Sequence, residues 1–197
     1  MNEKVGIHLD LGCGKSPRNP YGFKTLHALD IYEPKDLLIN ITFTKANLTL
    51  QPIPYPDNTF DSISAYDFIE HIPRILAINQ ETTKLPFVDL MSEIWRVLKP
   101  NGMFYALTPA FPNGAAFHDP THVNFITERT HKYFCGSEAY AIDYGFKGQF
   151  EAVKVEWIRG DEAFREVDAL EQFRRWYRNH FKKRKNSHLI WELKAIK

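Results

Sequence analysis

The sequence predicts an α/β fold with a mostly parallel sheet, and three observations lead to this prediction. Residues 5–11 form an apolar run that enters a turn with two glycines one residue apart, as a buried strand does at its carboxyl end. Further strand-like runs alternate with helical segments along the chain. The last two strand candidates are joined through a long basic segment, so this closing pair can be antiparallel.

The strand candidates are short apolar or alternating runs bounded by turn residues. Between the first two of them, the prolines and glycine within residues 15–22 predict a turn rather than a helix. The second strand ends in Asp30, an acid at the tip of an apolar run. In chain order, the predicted strands are residues 5–11, 26–30, 37–39, 60–65, 103–107, 150–158 and 187–196.

The clearest predicted helix spans residues 85–98. Its apolar side chains recur at three- and four-residue steps and form one stripe, which comprises Phe87, Leu90, Met91, Ile94, Val97 and Leu98. The sequence Lys-Pro-Asn-Gly at residues 99–102 is a signal for the helix to end. Residues 127–140 are also predicted to be helical. A basic amphipathic helix is expected around residues 162–185, inserted between the last two strands of a single domain that spans residues 1–197.

The composition is that of an ordinary globular protein rather than of a nucleic-acid-binding or membrane protein. A length of 197 residues with 44% hydrophobic residues is enough for one domain with a sizeable core. The net charge of +1 gives no general attraction to nucleic acid or anionic membranes. No apolar run approaches the ~20 residues of a membrane span, and the two cysteines form no disulfide framework. We therefore predict a cytoplasmic protein with no membrane partner.

The residues around the glycine turn predict a site for an adenosine-containing cofactor. Gly12 and Gly14 let a ligand lie against the main chain, and Asp10 stands two residues before the first glycine. Asp30, at the tip of the second strand, is placed to bind two ribose hydroxyls. A nicotinamide dinucleotide is disfavoured, because the third glycine of its fingerprint is replaced here by Pro17 and no Tyr-x-x-x-Lys pair is present.

Five segments in this order resemble successive motifs of the class I S-adenosylmethionine-dependent methyltransferases, in particular the small-molecule branch known as methyltransferase domain 11. The segments are residues 10–14 (Asp-Leu-Gly-Cys-Gly), Asp30, residues 54–61, residues 69–72 (Ile-Glu-His-Ile) and residues 95–102. The resemblance covers roughly residues 5–108. It implies a Rossmann-like methyltransferase fold, with a mostly parallel seven-stranded sheet and an antiparallel last strand. The connection between the first two strands is shorter than the family's usual helix.

The resemblance also implies the cofactor and the residues that bind it. The cofactor is S-adenosyl-L-methionine, with Asp10 near its amino group and Asp30 on its ribose hydroxyls. The residues that the resemblance assigns to the cofactor are Asp10, Gly12, Cys13 and Gly14 along its methionine and ribose, Asp30 and Ile31 at ribose and adenine, Asn47 and Leu48 at the adenine amino group, and Ala65 and Tyr66 along the methionine side.

Three histidines are candidates for accepting the proton that an oxygen or nitrogen acceptor loses on methylation. His71 lies in the fourth motif, and His118 and His122 lie four residues apart in a loop after the fifth strand, with Asp119 beside them. The two loop histidines could instead ligate a metal or merely support a turn, and we assign no metal ligand. The loop resembles those of relatives in sugar and glycan pathways, which favours a small polar or glycan acceptor.

The basic helix is the main reason to consider a different acceptor. Its cations and interleaved aromatics suit nucleic acid, but they also suit a helix packed on the sheet with a solvated face, which we favour. These residues are Arg174, Arg175, Arg178, Lys182, Lys183, Arg184 and Lys185, with Trp176, Tyr177 and Phe181 among them. The main prediction is thus methyl transfer to oxygen or nitrogen of a small polar or glycan acceptor. The alternatives are an RNA or protein methyltransferase that docks through this helix, and a non-catalytic S-adenosylmethionine-binding module.

Overall fold

The computed structural model describes residues 4–37, 40–164, 173–174, 176–177 and 186–197. Nine strands lie in this part of the chain: β1 (Lys4–Leu11), β2 (Phe23–Asp30), β3 (Ile41–Lys45), β4 (Phe60–Tyr66), β5 (Leu76–Ala77), β6 (Thr83–Lys84), β7 (Leu98–Pro109), β8 (Phe150–Ile158) and β9 (His188–Ala195). The α-helices whose two ends both lie in this part of the chain are α1 (Pro86–Val97) and α2 (Ala115–His118). Four 3-10 turns occupy Ile69–His71, Thr130–Phe134, Tyr140–Tyr144 and Gly160–Phe164.

Seven strands form one sheet in the order β3-β2-β1-β4-β7-β9-β8, and β5 and β6 form a separate hairpin. β1, β2, β3, β4 and β7 pair in parallel, whereas β9 runs antiparallel to both β7 and β8. The predicted Rossmann-like sheet with an antiparallel last strand is therefore confirmed. Because the strand order reverses beside β1, the carboxyl ends of β1 and β4 mark the crevice in which such folds bind ligands.

The two faces of the sheet differ in chemistry, because successive strand residues point to opposite sides. Leu9 and Leu11 of β1 belong to the main buried apolar cluster together with Met91 and Ile94 of α1. Each such side chain contributes about 1.5–3 kcal/mol when it is fully buried. The alternate positions of β1 and β4 are also fully or almost fully buried, but they are polar. They are His8, Asp10, Ser62 and Ser64.

Two local predictions are wrong. The third strand lies at Ile41–Lys45 rather than at residues 37–39, of which 38 and 39 are outside the described residues. The segment 41–45 consists mostly of β-branched and aromatic residues and pairs along β2. The helix expected at residues 127–140 is instead two 3-10 turns separated by Gly136, whose left-handed φ of +87° and hydrogen bond to the Phe150 carbonyl direct the chain toward β8.

The basic helix expected around residues 162–185 lies largely outside the described residues. The four residues described between 173 and 177 are helical, and the rings of Phe173 and Trp176 stack with their centroids 5.9 Å apart. We expected the apolar side of this helix to pack on the sheet. These two side chains are 61% and 50% exposed, so neither is buried there. Among the helices that the structure describes, none is long and apolar enough to cross a membrane.

Candidate functional site

The turn after β1 is held in a conformation that only glycines adopt easily. Gly12 and Gly14 have φ values of +62° and +54°. The backbone amides of Gly12 and Cys13 both donate to the Leu29 carbonyl of β2, at 2.8 and 3.2 Å. A Cβ on Gly12 would lie 2.3 Å from the Phe68 ring, so a side chain there would displace the turn. The turn is therefore fastened to the second strand with its main chain at the sheet edge.

Asp30 lies at the tip of β2 and faces the glycine turn. Its Oδ2 accepts the Gly14 amide hydrogen at 2.9 Å, and its Oδ1 accepts that of Tyr32 at 3.2 Å. Ile31 beside it is 41% exposed, although it is a large apolar residue. Each Asp30 oxygen has a second lone pair, which can accept a further hydrogen bond. This geometry brings together Gly14, Asp30 and Ile31, three of the residues predicted to contact the ribose and adenine.

Cys13, between the two glycines, has a structural rather than a reactive thiol. It is buried, and burial raises the pKa of its thiol to about 12. The thiolate that nucleophilic chemistry requires is therefore absent at neutral pH. Its position in the turn leaves the main chain as the part that can face a ligand, and a contact of Cys13 with the cofactor stays a prediction.

Asp10 stands at the centre of a buried hydrogen-bond network, called here the Asp10 network and formed by His8, Asp10, Arg18, Ser62 and Ser64. The Ser64 hydroxyl donates to Asp10 Oδ1 at 2.5 Å, and the Arg18 backbone amide donates to Asp10 Oδ2 at 2.9 Å. His8 Nε2 lies 2.8 Å from the Ser64 oxygen, and His8 Nδ1 lies 2.6 Å from the Ser62 oxygen. The network ties β1, β4 and the segment after the glycine turn together.

The direction of each hydrogen bond in the Asp10 network follows from Ser64. Because the only hydroxyl hydrogen of Ser64 is donated to Asp10, Ser64 can only accept from His8 Nε2–H. The other ring nitrogen then accepts from Ser62. Burial lowers the pKa of His8 to about 3, which keeps the ring neutral, and raises the pKa of Asp10 to about 7. Every buried acceptor in the network therefore has a donor.

The sequence patterns did not predict that His8, Ser62 and Ser64 contact Asp10 or one another. A signal was present, because polar residues occupy alternate positions of two runs that are otherwise apolar. The strand register explains their contact, since His8 pairs with Ser62 and Asp10 pairs with Ser64 across β1 and β4. Only the pairing of these two strands makes the polar positions adjacent.

The other residues predicted for the cofactor lie after β3 and at the end of β4. Asn47 forms a turn in which its side-chain oxygen accepts the Thr49 amide hydrogen at 3.1 Å, and the neighbouring Leu48 is buried. Ala65 and Tyr66 are buried at the carboxyl end of β4. The Arg18 guanidinium lies 4.6 Å from the centre of the Tyr66 ring.

A second polar group, called here the Glu70 cluster, consists of Glu70, His71 and His122. One carboxylate oxygen and one nitrogen of each ring all lie within 4.8 Å of one another. Glu70 is 1% exposed, and the hydroxyl of Thr108 donates to its Oε2 at 3.0 Å, whereas its Oε1 is buried without a hydrogen-bond partner. Burial raises the pKa of Glu70 to about 8. The cluster thus contains a buried acceptor that no described donor satisfies.

Backbone contacts place the Glu70 cluster at the same edge of the sheet as the glycine turn. The backbone amides of Val123 and Asn124 both donate to the Glu70 carbonyl at 2.9 Å. The Asn124 side chain donates to the Ile69 carbonyl at 3.1 Å. These bonds fasten the loop after β7 to the 3-10 turn after β4, and both segments follow carboxyl ends of parallel strands.

The structure pairs the candidate histidines differently from their spacing in the sequence. His71 and His122 lie edge to face with ring centroids 4.8 Å apart, although 51 positions separate them. His118, four residues before His122, is exposed at the end of α2 and is not a member of the Glu70 cluster. Asp119 accepts from the hydroxyl of Thr121 at 2.6 Å, and Thr121 in turn contacts His71.

A cavity of about 520 Å³ opens beside the loop that carries His122. Arg74 lines it and donates to the Asn124 side-chain oxygen at 2.7 Å, so the cavity and the Glu70 cluster share this loop. Its lining is mainly apolar with a second arginine, and it includes Arg74, Leu85, Phe87, Val88, Arg129 and Tyr133.

Comparison with known proteins identifies the class to which this fold and site belong. Residues 9–106, about half of the chain, match the sequence model of the methyltransferase domain family. None of the curated proteins compared matches the chain. The chain belongs to the class I S-adenosylmethionine-dependent methyltransferases, as its motifs predict, and S-adenosylmethionine is the cofactor of that class.

Solved structures of low sequence identity share the fold over almost the whole chain. A chain from the complex of the Haloferax volcanii Trm112 methyltransferase activator with a methyltransferase has a TM-score of 0.61 and 15% identity, covering 99% of this chain and 84% of that one. An S-adenosylmethionine-dependent methyltransferase from Archaeoglobus fulgidus has a TM-score of 0.60 and 17% identity, covering 98% and 86%. The Burkholderia thailandensis 1,6-didemethyltoxoflavin-N1-methyltransferase, bound to 1,6-didemethyltoxoflavin and S-adenosylhomocysteine, has a TM-score of 0.55 and 13% identity, covering 98% and 72%.

Proposed function

We propose that this protein transfers the methyl group of S-adenosylmethionine to an oxygen or nitrogen of a small polar or glycan-type acceptor. The observation that carries the proposal is the meeting of two groups at one sheet edge. Asp10 and Asp30 flank the glycine turn, and His71 and His122 lie in the segments that follow β4 and β7. The first group suits the methyl donor, and the second suits an acceptor that must lose a proton.

In this proposal Asp30 binds the ribose. Its two backbone donors hold the carboxylate in place and leave lone pairs for two hydroxyl groups. Asp10 lies below the turn, where its negative charge, once it is ionised, attracts the cationic amino group of the methionine. The Arg18 amide and Ser64 hydroxyl orient the Asp10 carboxylate. Ile31 packs on the adenine ring, while Asn47, Leu48, Ala65 and Tyr66 complete the walls.

The catalytic task proposed for this chain is alignment and proton removal. The sulfonium of S-adenosylmethionine is already an activated donor, so the protein has to position the acceptor and accept its proton. His71 or His122 is proposed as the proton acceptor, and His118 remains a third candidate from the same loop. The nearby cavity, apolar with two arginines, suits an acceptor that has both an apolar body and polar or anionic substituents.

Calorimetric titration with S-adenosylmethionine, and separately with NAD and NADP, tests the donor. We expect micromolar binding of S-adenosylmethionine only. Asp30→Ala should weaken it by about 100-fold, because two hydrogen bonds to a charged group contribute about 3 kcal/mol together. The matched control is Asp36→Ala, an exposed acid on the segment after β2, which should bind as the wild type does. Binding of a nicotinamide dinucleotide, or undiminished binding by Asp30→Ala, would contradict the proposal.

Turnover is tested by the release of S-adenosylhomocysteine with a panel of sugars and other polar acceptors. With an active acceptor, His122→Ala and His71→Ala should lower kcat by about 100-fold or more without weakening S-adenosylmethionine binding, since a positioned base contributes 10²–10⁴-fold in rate. Tight cofactor binding with no turnover on any acceptor of this class would instead favour a non-catalytic binding module.

A further inference from the structure

We propose that Glu70, His71 and His122 form a binding site for one divalent transition-metal ion of the zinc type. The three side chains each bring one ligand atom to within 4.8 Å of the other two. Atoms bound to one such ion at about 2.0–2.2 Å lie about 3–4 Å apart, so modest rotations of the two half-buried rings would complete the site.

The hydrogen bond at Nδ1 of His71 determines which ring nitrogen is available. Thr121 has one hydroxyl hydrogen and donates it to Asp119 at 2.6 Å. Toward His71 Nδ1, at 2.9 Å, the Thr121 oxygen can therefore only accept. His71 Nδ1 must carry the ring hydrogen, which leaves Nε2 of the neutral ring with an unshared lone pair.

His122 has the same tautomer for an independent reason. Its Nδ1 lies 3.3 Å from the carbonyl oxygen of Ala116, and a carbonyl oxygen can only accept. Nδ1 therefore carries the hydrogen and Nε2 the lone pair. Metal-bound histidines commonly donate their second nitrogen to a backbone carbonyl or a polar side chain in this manner, which fixes the ring and its tautomer.

Glu70 supplies the second, independent observation. It is 99% buried, and its Oε1 has no hydrogen-bond partner among the residues described, whereas Oε2 accepts from Thr108. A buried acceptor without a donor costs about 1–3 kcal/mol. In its ionised form Glu70 thus offers one oxygen that no donor reaches among the residues that the structure describes, and each histidine offers one imidazole lone pair. A bound cation would satisfy all three.

The ligand set indicates the kind of ion. Two imidazoles and one carboxylate suit zinc and similar borderline ions, whereas magnesium and calcium prefer oxygen ligands. Three protein ligands leave a coordination position open for water or a substrate oxygen. An acceptor hydroxyl in that position would have a lowered pKa. With His71 and His122 both bound to the ion, its proton would pass to solvent rather than to either ring. This last role rests on the proposed function, but metal binding itself does not.

The test uses tag-free, full-length protein that has been stripped of metal by a chelator and contains no S-adenosylmethionine. Zinc binding is measured by calorimetry, and cobalt binding by its visible absorption. We expect one ion per chain, and a loss of affinity of at least 30-fold in His71→Ala, His122→Ala and Glu70→Gln. The matched control, His118→Ala in the same loop, should retain the wild-type affinity. Circular dichroism melting verifies that each variant is folded.

The absence of saturable one-to-one binding would overturn the proposal. So would equal affinity in the three ligand variants and the wild type, or an equal loss in His118→Ala. Glu70→Gln keeps the size of the side chain, so it tests the site even where removal of a ring affects folding. Failure of metal binding with intact S-adenosylmethionine binding refutes only the metal site. Metal binding without S-adenosylmethionine binding refutes only the proposed methyl donor.

Discussion

Two buried polar groups lie at the same sheet edge, and they differ in whether their hydrogen bonds are complete. In the Asp10 network each acceptor receives a hydrogen bond. Ser62 donates to His8, His8 donates to Ser64, and Ser64 donates to Asp10. In the Glu70 cluster a buried carboxyl oxygen has no donor within the described part of the chain. Because folded proteins pair nearly all buried polar groups, the complete network is explained by the fold alone, whereas the unpartnered Glu70 oxygen is one of the observations on which the proposed metal site rests. The Asp10 network therefore orients a residue of the proposed cofactor site, whereas the Glu70 cluster is itself a candidate metal site.

The largest loss of stability is expected when the Asp10 network is interrupted at Ser64. Ser64→Ala leaves both Asp10 Oδ1 and His8 Nε2 without a partner, which should lower the free energy of unfolding by about 3 kcal/mol. Ser62→Ala is the matched control, since it removes only the terminal donor and should cost about 1 kcal/mol. Urea denaturation measures both. Equal losses would mean that the bonds do not form one connected chain.

A smaller effect is expected in the pH dependence of stability. Burial raises the pKa of Asp10 to about 7, so native Asp10 binds more protons than unfolded Asp10, and its contribution to stability is lost as the pH rises toward 7. Burial lowers the pKa of His8 to about 3, so its contribution is lost as the pH falls toward 3. Between about pH 4 and 6.5 these two contributions oppose each other.

Asp10→Asn removes only the first of these opposing contributions. Relative to wild type, the stability of this variant should therefore rise by about 2 kcal/mol between pH 4.5 and pH 6.5, and any loss from altered hydrogen bonding would be the same at both pH values. Urea midpoints at the two pH values measure the difference. A stability difference from wild type that stays constant with pH would show that Asp10 does not titrate as a buried acid.

The smallest effect is expected in the Glu70 cluster, where a substitution should raise the stability of the protein rather than lower it. Glu70→Gln exchanges a buried carboxylate for an amide that can donate to a histidine lone pair, so metal-free protein should gain about 1 kcal/mol of stability. Thermal melts with and without zinc measure the effect. Zinc should stabilise the wild type more than the variant, because it binds the native wild-type site. Destabilisation of the metal-free protein by Glu70→Gln would mean that Glu70 has a partner in solution.

The glycine turn and the acids beside it could be predicted because their signals are local. An apolar run, two glycines and an acid at the next strand tip lie within 26 residues, and each has a direct backbone consequence. The predictions that failed depended on distant partners. Ile41–Lys45 is a strand because it pairs with β2, and residues 127–140 do not form one helix because Gly136 bonds to Phe150. The stripe of α1 was predictable, because its periodicity is internal to the helix.

The sequence by itself determined the α/β class, the glycine turn and the two acids around it, because strand and turn propensities act over a few residues. Only the tertiary structure decided which polar residues meet. His8 reaches Ser64, and His71 reaches His122, because β4 lies between β1 and β7 in the sheet and the loop after β7 is bonded to Glu70. Strand order and loop attachment are set by packing of the whole domain, and no spacing within the sequence encodes them.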